Sequence, residues 1–134
     1  MIPYQRFVVV LDAHTFLWFV WDDAQLSHNA KVLIVDAANQ KFISPATYWE
    51  IAIKVSIGKL DLGEPYRAFM RREIARNHFD ILLISVDHAA AVSVLPLHHR
   101  DPFDRMLIAQ SMVEEVPIIS GDIAFDAYPV TRLW

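Results

Sequence analysis

The chain has 134 residues, 54% of them hydrophobic and only three glycine, which suits one domain over 1–134 with a substantial core and excludes a disordered chain. A formal net charge of −4 argues against a simple basic nucleic-acid binder, although carboxylates that hold metal ions are counted as negative in that sum. With no cysteine, disulfides and thiolate metal sites are excluded, which suits a reducing cytoplasm.

Phe7–Leu11 is an unbroken apolar run rich in β-branched residues and reads as a buried central strand. Asp12 follows directly, and Thr15–Trp21 reads as a short apolar helix. Residues 7–21 together raise the question of a targeting or membrane segment. Asp12 and His14 interrupt the run, it is shorter than the ~20 residues of a span, Arg6 is its only basic flank, and no small-x-small cleavage site follows. A core strand running into a helix is expected instead, with no membrane association and a cytoplasmic location.

Ser27 can cap a second helix reaching about Ala38. Lys41–Ser44 is a short strand, and Ser44 then caps a helix with Pro45 at its first position, where a missing N–H costs nothing. That helix ends at about Ile57, with Gly58 as its C′ residue. Leu60–Gly63 is a connector. Glu64–Asn77 is a charged amphipathic helix whose Arg67, Arg71, Arg72 and Arg76 form a solvated face, or a surface able to attract a phosphate backbone. Phe79–Val86 is expected as a third strand and Asp87–Leu95 as a helix ending near Pro96. After the polar loop His98–Asp101 come a helix over Pro102–Glu115, a buried strand at Pro117–Ser120 and a short last strand within Val130–Trp134. No repeat or domain linker interrupts this series. Alternating strands and helices imply an α/β fold, a parallel sheet covered on both faces, with ligands beyond the carboxyl ends of the strands.

Four acids fall where that topology puts a ligand. Asp12 and Asp122 sit at strand ends, and Glu50 and Asp104 sit in the early turns of helices. Each has an ordinary explanation as well. Glu50 can point to water, Asp122 suits a turn after Gly121, and Asp104 is favoured by the helix dipole at the third helical position. Asp101 is assigned to the N-cap, which explains it fully. Asp12, after five apolar residues, should be buried, and an unpaired buried carboxylate is costly. The joint placement carries the functional reading: carboxylates converging at one sheet edge repel unless a cation lies between them. A hard divalent ion takes oxygen ligands, and such a nest suggests metal-assisted attack of water on a phosphate.

The remaining candidates are weaker. His98 and His99 are adjacent, so their side chains diverge, and they lack the spacing of a zinc site; a solvated loop pair is expected. Phe16, Trp18, Phe19, Trp21 and Trp49 are too many large rings for one face of a seven-residue helix, so part of the cluster should be an exposed interaction patch. No Gly-rich phosphate loop and no Gly-x-Ser-x-Gly elbow occur.

With these residues in view, the chain resembles PIN-domain ribonucleases of the VapC type, toxins of bacterial and archaeal toxin–antitoxin pairs. The resemblance rests on Val-Leu-Asp-Ala-His-Thr-Phe-Leu-Trp at 10–18, Ser-Pro-Ala-Thr-Tyr-Trp-Glu-Ile-Ala-Ile-Lys at 44–54 and Gly-Lys-Leu at 58–60. It continues through Leu-Pro-Leu-His-His-Arg-Asp-Pro-Phe-Asp-Arg-Met-Leu-Ile-Ala-Gln at 95–110 and Ile-Ser-Gly-Asp at 119–122. It implies a three-layer α/β/α sandwich with a central parallel sheet and a Mg²⁺- or Mn²⁺-dependent endoribonuclease whose four acids are Asp12, Glu50, Asp104 and Asp122. Ser120 stands where the family often has threonine, a departure that keeps the hydroxyl. The resemblance also implies a homodimer, an RNA substrate and a cognate antitoxin packing an apolar segment across the early helices, which would give the aromatic cluster a use. In the mechanism expected, Asp12, Glu50 and Asp104 hold the ion directly or through water, Asp122 completes the site, and cleavage leaves a 5′-phosphate and a 3′-hydroxyl. A catalytically silent PIN-like module that binds RNA or protein is the competing expectation; four intact acids speak against it. A phospho-acceptor receiver domain is disfavoured because no lysine follows Lys59.

Overall fold

In the computed structural model, which describes residues 7–134, the run Val8–Leu11 (β1) is the middle strand of the sheet. Its partners are β2 (Gln40–Ile43), β3 (Asp80–Ile81), β4 (Ile118–Ile119) and β5 (Arg132–Leu133), in the order β3-β2-β1-β4-β5. All four pairings are parallel, with Leu11 opposite Ile43 on one side and Ile119 on the other. Arg6, weighed above as a targeting flank, lies outside the described residues.

Period-two alternation along β1 divides the core between the two faces of the sheet. Val9 and Leu11 join one cluster with Ala13, Phe16 and Leu17 of α1 (Ala13–Val20), Ala30 and Ile34 of α2 (His28–Val35), Ile51 of α3 (Pro45–Ser56), and Phe69 and Met70 of α4 (Tyr66–Arg76). Val10 points the other way, into a cluster with Leu107 and Ile108 of α6 (Pro102–Glu114), Phe125 and Tyr128. The helix α5 (Val86–Ser93) packs along α6 and buries only His88. The result is the expected three-layer α/β/α sandwich. Each fully buried side chain such as Phe16 or Ile108 contributes roughly 1.5–3 kcal/mol by leaving water.

The helix starts follow their caps. Ser27 accepts the Ala30 amide, Ser44 the Ala46 amide, and Asp101 the amides of Phe103 and Asp104. Gly58, just past the C-cap Ile57, has a φ of 75°, a conformation that glycine adopts without strain. Two boundaries differ from expectation by three residues or more. The second helix stops at Val35 rather than near Ala38, because Asp36 turns to extended backbone and its side chain accepts the Ala38 amide. The third strand is only Asp80–Ile81, not Phe79–Val86. Its one partner, β2, ends at Ile43 where Ser44 begins to cap α3, so little ladder remains beyond the Leu82 amide bond to Ile43. Ser85 then caps α5, its hydroxyl accepting the His88 amide while His88 Nδ1 accepts the Ser85 amide. Residues 123–127 form a 3-10 helix capped by Asp122. Among the described residues no helix is long and apolar enough to cross a membrane.

Candidate metal centre

Asp12 leaves the carboxyl end of β1 and caps α1. It is buried, and both of its oxygens are engaged: Oδ1 accepts the Thr15 amide at 3.0 Å and Oδ2 accepts the Ser120 hydroxyl at 2.6 Å. The same Ser120 oxygen accepts the Asp122 amide at 3.0 Å, so one fully buried hydroxyl links two of the four acids. Thr15 donates its hydroxyl to the Ile119 carbonyl, which fastens the start of α1 to the end of β4. The side chain of Asp122 accepts the Ala124 amide.

Glu50 is also buried, not solvated. It lies in the second turn of α3, with the Lys54 ammonium 2.8 Å from its Oε2. This i, i+4 pair was readable from spacing but not singled out from the sequence. Asp104 is the third residue of α6, behind the Asp101 cap and Pro102. Its carboxyl is pushed up to about 8, first by desolvation and then by the negative charges of Asp101, Glu50, Asp12 and Asp122. All four sequence-expected acids therefore share one electrostatic environment, at the edge of the sheet where topology put them.

His99 is the correction. Expected to be solvated, it is largely buried, with Nε2 2.9 Å from Asp104 Oδ2. The approach is off the line of a hydrogen bond, so Nε2 remains a buried polar atom with no hydrogen-bond partner. His99, Asp104 and Asp122 offer ligand atoms that all lie within 4.8 Å of one another. A histidine in a short polar loop carries no periodic signal. What marks this one is Arg105, whose guanidinium donates to the carbonyls of Leu95, Pro96 and His99 at 3.0, 3.0 and 3.2 Å. The Tyr128 hydroxyl adds to this clamp, donating to the Pro96 carbonyl and accepting the amides of His98 and His99. His98 stays exposed, its ring edge-on to Tyr128.

The expected aromatic patch is divided. Phe16 is in the core, Trp18 and Phe19 are half-buried, and Trp21 and Trp49 are 41% and 61% exposed. Trp49 meets Phe103 edge-on across α3 and α6, beside Glu50 and Asp104 in sequence. The arginine face on α4 is partly committed: Arg72 grips Glu64 with two bonds of 2.6 and 2.8 Å, and Arg76 lies 3.1 Å from Glu73. Arg67 and Arg71 are exposed. A cavity of ≈ 520 Å³, lined by residues that include Asn39, Lys41, His78 and Asp80, is at the opposite end of the sheet and brings together none of the four acids.

The donors at the carboxyl edge are nearly all hard oxygens, and burial, then repulsion, keeps one of them protonated well above its ordinary range. Lys54 is the one lysine or arginine paired to any of the four acids among the described residues. With an orphaned histidine nitrogen beside them, these residues fit a divalent cation. The family model for the PIN domain matches residues 9–130. The chain belongs to the PIN-domain family. Among solved structures this PIN domain is similar to a chain of VapBC2 from Rickettsia felis bound to a DNA fragment from their promoter, with TM-score 0.71 and 14% identity over 95% of this chain and 98% of that one. It is likewise similar to a chain of FitAcB from Neisseria gonorrhoeae, with TM-score 0.66 and 15% identity over 94% and 96%. VapBC-1 of nontypeable Haemophilus influenzae matches with TM-score 0.64 and 12% identity over 94% and 96%. At these identities the likeness is one of fold. No curated relative matches by sequence.

Proposed function

We propose that residues 1–134 are a single PIN domain acting as a metal-dependent endoribonuclease, the toxin of a toxin–antitoxin pair. One observation carries this reading: burial, and then four surrounding carboxylates, push the Asp104 carboxyl up to about 8, a charge arrangement that a divalent cation relieves. Asp12, Glu50 and Asp104 would hold Mg²⁺ or Mn²⁺ directly or through water, and Asp122 would complete the site. An ion held there would supply Lewis-acid charge and would acidify the attacking water. Ser120 and the Thr15 amide fix the Asp12 carboxylate, so its geometry is set before anything binds. Lys54 restrains Glu50, and the Asp101 cap fixes the first turn of α6 from which Asp104 projects. Water adds to phosphorus, the P–O3′ bond breaks, and the products carry a 5′-phosphate and a 3′-hydroxyl.

A homodimer in the cytoplasm, inhibited by a cognate antitoxin, completes the proposal; the similarity of fold to chains of VapBC and FitAB structures supports it. The exposed Trp21 and Trp49 are the surface such a partner would cover. One observation favours the competing silent RNA- or protein-binding module: Lys54 already neutralises Glu50. Incubating the purified chain with RNA in millimolar Mg²⁺ or Mn²⁺ and in excess EDTA decides between them. Cleavage with metal only, leaving 5′-phosphate ends, is expected. Undiminished cutting in chelator, or 2′,3′-cyclic phosphate ends, would refute the metal mechanism, and no cutting under any condition would favour the silent module.

A further inference from the structure

Next to the acids is a groove of ≈ 310 Å³ that contains carboxylates and aromatic rings but no lysine or arginine. Asp12 and Asp122 line its acidic side. His14, Trp18 and Trp134 line the rest, together with the amide of Gln25. His14 and Trp18 are one turn apart on α1 and stack at 5.4 Å with 21° between their planes. The Trp134 ring lies 6.0 Å from Trp18, tilted by 57°. It also rests on Gly121: a Cβ there would be 2.9 Å from Trp134 Cε2, so the missing side chain is what lets the indole sit beside Asp122.

A core role accounts for part of this, since Trp134 packs against the large cluster and Trp18 is half-buried. It does not account for His14, which is exposed and yet aligned on the Trp18 ring. Nor does it explain why the rings border the carboxylates. Those carboxylates repel a phosphodiester, and the groove has no cationic side chain to hold one by charge. Aromatic faces hold nucleic acid by a means that charge does not oppose, because every base has a π-face. The Gln25 amide, whose Nε2 is only loosely held 3.4 Å from Asp23, carries a donor and an acceptor suited to a base edge.

We propose that this groove is the subsite for one unpaired nucleobase of the RNA, stacked on His14, Trp18 and Trp134, flanking the phosphate placed over Asp12 and Asp122. The proposal rests on the ribonuclease reading above. A base kept in a duplex hides its faces, so the subsite selects single-stranded RNA.

The test uses a single-stranded RNA oligomer and a series in which one abasic nucleotide moves along the strand, each cleaved with Mn²⁺. In the wild type, one abasic position next to the cut bond should lower kcat/KM by about 10- to 100-fold, the size of one lost stacking contact. In His14→Ala and Trp18→Leu the intact oligomer should fall toward that level and the abasic penalty should shrink, whereas Trp18→Phe should keep both. His14 is exposed, so its variant tests the idea even if Trp18→Leu unfolds. Uniform cutting of all abasic oligomers, or a full penalty in His14→Ala, would overturn the subsite while leaving the ribonuclease intact. If the wild type cuts no RNA, the ribonuclease reading fails and binding judges the subsite. Quenching of tryptophan fluorescence by the intact oligomer, weaker with one abasic position and weaker in Trp18→Phe, supports it; equal or absent quenching overturns it.

Discussion

On and just before α4 the acids are balanced close at hand, whereas at the carboxyl edge of the sheet they are left largely to repel. Glu73 is buried but lies 3.4 Å from Arg72 and 3.1 Å from Arg76. Glu64 is gripped by Arg72, which holds its carboxyl below the usual range. Asp104 is raised to about 8 in the company of Asp101, Glu50, Asp12 and Asp122. Both groups belong to the same acidic chain, so composition does not separate them. What separates them is how much cation the fold supplies. Arg72 and Arg76 match Glu64 and Glu73, whereas the acids around Asp104 outnumber Lys54 at Glu50 and Arg132 near Asp122, an excess of negative charge that points to something that comes from outside.

Replacing Asp104 should break this contrast most strongly. Asp104→Asn keeps the shape but removes one charge of the nest, and cleavage should fall by roughly 100-fold or more, beyond the effect of residues that merely support a metal ligand. Asp101→Asn, which still caps α6 through its side-chain oxygen, should retain most activity. Loss in Asp101→Asn with retention in Asp104→Asn would reverse the two assignments.

Next in size is the response to metal. At one hundred times its dissociation constant, Mg²⁺ should stabilise the wild type by about 2.7 kcal/mol, raising the melting temperature by several degrees. Asp12→Asn should lose that rise while keeping its cap, since an amide oxygen can accept the Thr15 amide and the Ser120 hydroxyl can turn to accept. An equal rise in both proteins would remove Asp12 from the site.

The pH dependence sharpens the comparison further. Folded Asp104 keeps its proton to about 8, while the unfolded chain releases it near 3.8. The folded state therefore binds more protons between those values, and metal-free stability should fall as the pH rises through that window, by at most about 1.4 kcal/mol per unit. Melts in EDTA from pH 5 to 8 should show the decline. Saturating Mg²⁺ or Asp104→Asn should flatten it, and a wild-type profile already flat in EDTA would contradict the charge nest.

The smallest effects come from single cations. Lys54→Met frees Glu50, so Mg²⁺ affinity by calorimetry should rise about two- to fivefold, the scale of one partly exposed ion pair. Glu64→Gln, on the balanced side, should change neither the Mg²⁺ response nor cleavage. A clear metal effect there would erase the distinction between the two groups.

The sequence made much of this legible because caps and apolar runs are local signals. Ser44-Pro45 and Asp101-Pro102 start helices where expected, and the unbroken run at 7–11 is the middle strand. The run at 79–86 misled because strand length depends on a partner: β2 ends at Ile43, and nothing in Leu83 or Ile84 reports that. The four acids stood out by their place relative to strands and helices, and Glu50, Asp12 and Asp122 do lie close enough to act on Asp104. His99 was missed because its position depends on Arg105 and Tyr128, contacts made across 6 and 29 residues of chain. Lys54 was within reach, one turn after Glu50.

The clamp formed by Arg105 and Tyr128 has a consequence for timing. A loop between two helices usually samples many shapes and settles only when something binds. Here the backbone amides of His98 and His99 are tied to a phenol anchored on the far side of the chain, and the neighbouring carbonyls are tied to a guanidinium. Those two amides should exchange with solvent slowly, like helix interior amides, even in the metal-free protein. The loop wall of the centre would then be ordered at the moment of folding, so that an arriving ion meets a shape already fixed.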